Sequence, residues 1–171
     1  MRIRLTKLSD QRHALEIVRA DGSGDKVELL TREALFHDFL HFAVESSLPT
    51  QCGFWGALAS GKSMADMNDR SGESVADIAD ILGPVEATVG MMTGVVKLPE
   101  DAAFAAIRGY HESQGSELPN WCTERFVADV RECMRRLLGE WKATPYGQTM
   151  EVVWTEDGPD NGSLLANGAW R

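Results

Sequence analysis

Cysteine, tyrosine and proline are scarce in this chain, and uninterrupted apolar runs are short. The three cysteines, Cys52, Cys122 and Cys133, form no CxxC pair and cannot all pair within one chain. A disulfide scaffold is therefore excluded, and the expectation is three buried or indifferent thiols in a cytoplasmic protein. No run approaches the eighteen or so apolar residues of a membrane span, so no membrane association is expected. The N-terminal MRIRLTKLSDQRHALEIV alternates apolar with polar residues and lacks the continuous apolar centre of a signal peptide. Positive charge is also in deficit: 17 basic against 26 acidic side chains give a formal net charge of -9. Such a field disfavours a general attraction to nucleic acid, and none is expected as a partner. Repeats, low-complexity linkers and an evident second domain are missing as well.

What is present suits one globular domain. The 171 residues are 43% apolar, enough to bury a core unaided. Ile3 and Leu5 alternate with Arg2, Arg4 and Thr6, the period of a half-buried strand. Leu15 and Ile17 recur two apart in HALEIVR, DGSGD turns the chain, and KVELL follows as a third strand. Near the other end, Met150, Val152 and Trp154 share one face of a strand expected to join the same sheet. The expected fold class is α+β: an N-terminal antiparallel meander plus a C-terminal strand, packed against several helices. Residues 1–155 form the domain. A tail over residues 156–171 carries Leu164, Leu165 and Trp170 to dock on the domain or on a partner.

Helices fill the interval. Thr31 is the expected N-cap of a helix over Glu33 to Glu45, closed by Leu48-Pro49. Cys52 to Ser60 is a short apolar helix that Gly61 ends. Ser74 caps a helix to Leu82, Gly83-Pro84 interrupts it, and another helix reaches Met92. Pro99, Glu100 and Asp101 open a helix to about His111. Thr123 caps the clearest amphipathic segment, with Phe126, Val130, Met134, Leu137 and Trp141 on one face and Arg131, Glu132, Arg135 and Arg136 toward water.

GALASGKS, residues 56–63, fits the phosphate-binding pattern of glycine, four residues, then Gly-Lys-Ser. Such a loop needs a buried strand before it and a helix after it, so that backbone N–H groups wrap the phosphates. LPTQCGFW makes no convincing strand, ALAS favours helix, and the downstream acids lie in helical VADIAD. The expectation is a helix stop with an exposed Lys62. A P-loop nucleotide-binding enzyme stays as the weakest functional alternative.

FHDFLHFAVE, residues 36–45, carries two of the four histidines. His37, His41 and Glu45 are spaced four apart and form one ridge on a helix. Phe36, Phe39, Leu40 and Ala43 define a different, apolar face, which sets this helix deep in the fold. Two imidazoles one turn apart converge on one divalent ion, and a carboxylate completes a facial set. His37, His41 and Glu45 are thus the candidate metal ligands. Asp38 stands where HExxH has glutamate and is one candidate catalytic group. Glu45, however, lies two turns from His37, about 12 Å along the axis. A more compact site draws its third ligand from elsewhere, with His111, Glu112, Cys122, Asp77 and Asp80 as candidates. Cys122, just before a helix N-terminus that favours a thiolate, is the second catalytic candidate. SVADIADILGPVE places Asp77, Asp80 and Glu86 among apolar positions, and its two aspartates are expected to face water.

Every catalytic signal lacks a partner at this level. The leading expectation is therefore a small interaction or structural domain without catalysis, its histidines held in a polar seam. The alternative is a divalent-metal-binding protein or metal-dependent hydrolase built on the His37/His41 ridge. Five tryptophans and the apolar Phe54-Trp55 stretch lead us to expect a homodimer. A small-molecule substrate is not specified.

Overall fold

A computed structural model describes residues 1–48, 53–69 and 71–155. Cys52 and the tail with Leu164, Leu165 and Trp170 lie outside the described residues. Strands β1 (Arg2–Lys7), β2 (Arg12–Val18) and β3 (Gly24–Leu30) form the meander, and β4 (Thr149–Val153) closes the described chain. The sheet order is β3-β2-β1-β4, antiparallel throughout. This is the expected α+β architecture. Register follows from the alternation: Ile3 faces Ile17 and Val152, and Leu5 faces Leu15 and Met150. All six side chains are buried. A one-residue slip would turn them all to water. On the opposite face Arg4 pairs with both of its cross-strand neighbours, Glu16 at 2.9 Å and Glu151 at 3.2 Å.

Among the described residues, six α-helices lie between β3 and β4: α1 (Thr31–Ser47), α2 (Phe54–Ala59), α3 (Met64–Met67), α4 (Ala79–Val95), α5 (Glu100–Gln114) and α6 (Glu124–Ala143). Helix α1 is central and packs on α6, α4, α2 and β3. Leu40, Ala43 and Val44 have no exposed surface, so this helix is apolar nearly all round where it crosses the core. Helix α6 is the amphipathic one, with Phe126, Val130, Met134, Leu137 and Trp141 inward and the Thr123 hydroxyl accepting from the Phe126 N–H at 3.1 Å. Its last carbonyls, on Trp141 and Thr144, accept from the Lys7 ammonium of β1, which ties the helix end to the sheet.

Three local expectations change. Thr31 does not cap α1; its hydroxyl pairs with His13 Nδ1 at 3.2 Å. Gly83-Pro84 does not break the fourth helix. A 3-10 turn over Glu73–Ile78 leads into α4, which runs through Pro84. Proline removes one helical hydrogen bond, and burial of Val85, Val89, Met92 and Val95 along one side holds the segment together. The combined stretch Glu73–Val95 is long and apolar enough, by length and composition, to cross a membrane, even though no unbroken apolar run of that length exists. Here it packs on α1 and α5. Arg131 does not face water either: its guanidinium donates to the carbonyls of Val95 and Leu98 and fastens the end of α4 to α6.

Candidate metal centre

Position 41 and position 45 of α1 fall inside the core, where the helix has little room for polar groups. His41 is 2% exposed and Glu45 0%; polar atoms that deep must find partners within the protein. They first find each other: His41 Nδ1 lies 2.9 Å from Glu45 Oε1. The rest of the Glu45 carboxylate is taken by α2. Helix α2 has no capping side chain of its own, and its free amides at Phe54 and Trp55 each donate to Glu45 at 2.9 Å. The Gly56 N–H stands 3.5 Å away. A buried anion at a helix start satisfies the orphan donors there and favours the helix dipole. The approach is close enough to dictate the residue before α2. A Cβ on Gly53 would stand 2.4 Å from the Glu45 Cδ, so only glycine fits without a shift.

The other ring nitrogen looks the opposite way. His41 Nε2 lies 3.4 Å from Glu86 Oε1 on α4, and it is shielded from solvent without a hydrogen-bond partner. One turn earlier on α1, the His37 ring sits 4.6 Å from the His41 ring, tilted by 61°. One donor atom each from His37, His41 and Glu86 lies within 4.8 Å of the others. Donors around one transition-metal ion stand roughly 3–4 Å apart at bond lengths of about 2.0–2.2 Å. The set is therefore slightly open. His37 and Glu86, both exposed, are the members of the set with room to move. Phe54, at the start of α2, covers the His41 ring from the side, with centroids 5.6 Å apart.

The electrostatics follow the geometry. Burial by itself would lower the His41 pKa, but contact with Glu45 and Glu86 outweighs it and raises the value to about 9. Partial burial lowers the His37 pKa, and a charged His41 one turn away lowers it further. Contact with His41 holds the Glu86 carboxyl below its ordinary range. Asp38, beside His37, has its Oδ2 enclosed with no partner, and burial pushes its pKa up to about 7.

The structure thus brings His37 and His41 together with an acid from another helix. Glu45 stands behind His41, on the far side from His37 and Glu86, with its oxygens already engaged. Among the other candidates, Lys62 pairs with Asp77 at 2.8 Å and with the Ser74 carbonyl, and is not free in water. His111 Nδ1 meets Ser116 at 2.9 Å. Cys122 is buried and its thiol pKa is raised by desolvation, the opposite of an activated thiolate. None of these joins the cluster among the described residues. GALASGKS is the second half of α2 and its stop. The amides of Ser60, Gly61 and Lys62 are spent on the carbonyls of Gly56, Leu58 and Ala57, and Arg19 draws the carbonyls of Leu58 and Lys62 toward the sheet at 2.6 Å each. No ring of free N–H groups is left for a phosphate, which removes the P-loop alternative.

Glu86 is the member of the cluster that spacing on one helix could not supply. A signal for it exists: between Ile81 and Val96 it is the only ionisable side chain. A lone carboxylate in so apolar a stretch needs a partner. No protein-family model, curated protein or solved structure matches the chain.

Proposed function

We propose that the protein binds one divalent first-row transition metal through His37, His41 and Glu86. One observation carries the proposal. Among the described residues, His41 Nε2 is enclosed, has only the Glu86 carboxylate at 3.4 Å to pair with, and looks toward donors from both α1 and α4. A buried ring nitrogen held by one long contact is costly to leave bare, and either a proton shared with Glu86 or a metal ion relieves that cost. Two imidazoles and one carboxylate suit zinc, iron, manganese or nickel better than magnesium or calcium, which favour oxygen donors. Three protein ligands leave further positions on the ion for water or a small ligand. The proposal stops at binding, because Asp38, the group that an HExxH-like hydrolysis requires, keeps one carboxyl oxygen enclosed by the protein.

Isothermal titration of the chelator-stripped protein with zinc, manganese, iron(II) and nickel tests the proposal. Saturable binding of one ion per chain by at least one of them is the expected result. Absence of saturable binding for all four would return the cluster to a polar seam inside an interaction or structural domain.

A further inference from the structure

The Glu45 carboxylate has contacts on two sides whose consequences differ. Toward α2 it accepts from the Phe54 and Trp55 amides. Toward α1 it meets His41 Nδ1 at 2.9 Å. Both of its oxygens already receive backbone N–H groups, so Glu45 is the acceptor in each contact and the Nδ1 atom is the donor. A proton held on Nδ1 leaves Nε2 as the nitrogen with a lone pair to offer, and Nε2 is the atom that faces Glu86. The ring cannot turn over without breaking the Glu45 contact inside a fully buried site.

We infer that Glu45 is a positioning residue for the metal centre: it fixes His41 as the Nδ1–H tautomer and aims Nε2 at the ion, while the α2 amides on both its oxygens anchor the same carboxylate. The inference rests on the proposed metal binding and adds a role that neither ligand spacing nor ligand identity supplies. A carboxylate behind a metal-bound histidine sets the tautomer and raises the basicity of the ligating nitrogen. Gly53 belongs to the same device, because any side chain there would push the Glu45 carboxylate from its place. The metal centre and the start of α2 are in this way held by one group.

Two measurements on the full chain test it. The first uses the zinc-loaded wild type, with 15N histidine shifts reporting which ring nitrogen holds hydrogen and which holds metal. His41 should show hydrogen on Nδ1 and zinc on Nε2; zinc on His41 Nδ1 overturns the inference. The second is Glu45→Gln, which keeps the shape but puts an NH2 among donors that need an acceptor. It should weaken zinc binding about 10–100-fold and alter the visible spectrum of the cobalt-substituted protein, with His37, His41 and Glu86 all present. A folded Glu45→Gln protein with wild-type zinc affinity and an unchanged cobalt spectrum overturns the positioning role while leaving the metal reading intact. A wild type that binds none of zinc, manganese, iron(II) and nickel overturns both. Should Glu45→Gln fail to fold, the tautomer measured in the wild type decides alone.

Discussion

His13 on β2 and His41 on α1 are equally buried, at 0% and 2% exposure, yet they sit in opposite chemical settings. His13 has one hydroxyl neighbour, Thr31 at 3.2 Å, and the edge-on ring of Trp141. Its pKa is lowered by burial alone. His41 lies between two carboxylates and its pKa is raised to about 9. Both leave a buried Nε2 without a hydrogen-bond partner. The difference is what that nitrogen looks toward. For His41 it is a second histidine and an acid that together offer an ion three donors; the neighbours identified around His13 are an alcohol and an indole. Burial of a histidine is therefore no sign of a site. The acids around it are.

The largest effect that separates the two histidines is on stability. His41→Leu leaves the fully buried Glu45 carboxylate with only its amide donors from α2, and breaking a buried pair costs about 3–5 kcal/mol. His13→Leu removes a neutral ring from apolar surroundings and should cost roughly 1–2 kcal/mol. Urea denaturation of the metal-free proteins measures both, and equal losses would erase the contrast.

The pH dependence of the metal-free protein should carry opposite signs. The folded His41 pKa is above the unfolded value of 6.5. Its contribution is fully present below pH 6.5 and is lost as pH rises through about 9, on the order of 3 kcal/mol in all. The folded His13 pKa is below 6.5, so its contribution is lost as pH falls below 6.5. NMR titration of the two rings resolves them directly, and a His41 ring that titrates below 6.5 would contradict the account.

The same proton makes metal binding pH-dependent. Near neutral pH an ion must displace a proton from His41, so affinity should rise about tenfold per pH unit up to roughly pH 9 if one proton is released. Calorimetry in buffers of different ionisation heat counts that proton. Asp38→Asn tests a pH dependence of comparable size. With its pKa raised to about 7, Asp38 holds its proton more tightly in the folded chain, so stability falls as pH rises between about 4 and 7. The variant should flatten that fall, as seen in thermal unfolding of metal-free protein at pH 5 and pH 8. Lys62→Ala should do least. Its partner Asp77 is 65% exposed, and such pairs contribute about 1 kcal/mol or less; metal affinity should not change.

Period-two alternation placed β1, β2 and β4, because a slip of one residue is costly at Ile3, Leu5, Leu15 and Ile17; β3, which buries no side chain fully, was legible from the DGSGD turn before it. The amphipathic stripe of α6 was equally legible. Helix α4 was misjudged at Gly83-Pro84, since local helix-breaking chemistry does not reveal that Val85, Val89 and Met92 have a core to enter. For the site, i,i+4 spacing found the His37 and His41 pair. It also put Glu45 with them, as every helical ridge must. Only packing of α4 against α1 shows that Glu86 comes from the other side, and only the approach of α2 shows that the Glu45 oxygens are spent. Both are contacts between helices, which no spacing within one helix encodes.

The most direct test of the account is elemental analysis of metal-repleted wild type beside His37→Ala, His41→Ala and Glu86→Gln, each dialysed free of loose ions and checked for folding. The wild type should retain about one transition-metal ion per chain. Each folded variant should fall to background, with Lys62→Ala matching the wild type. A repleted wild type without metal, or a Glu86→Gln protein that retains as much as the wild type, would contradict the central claim.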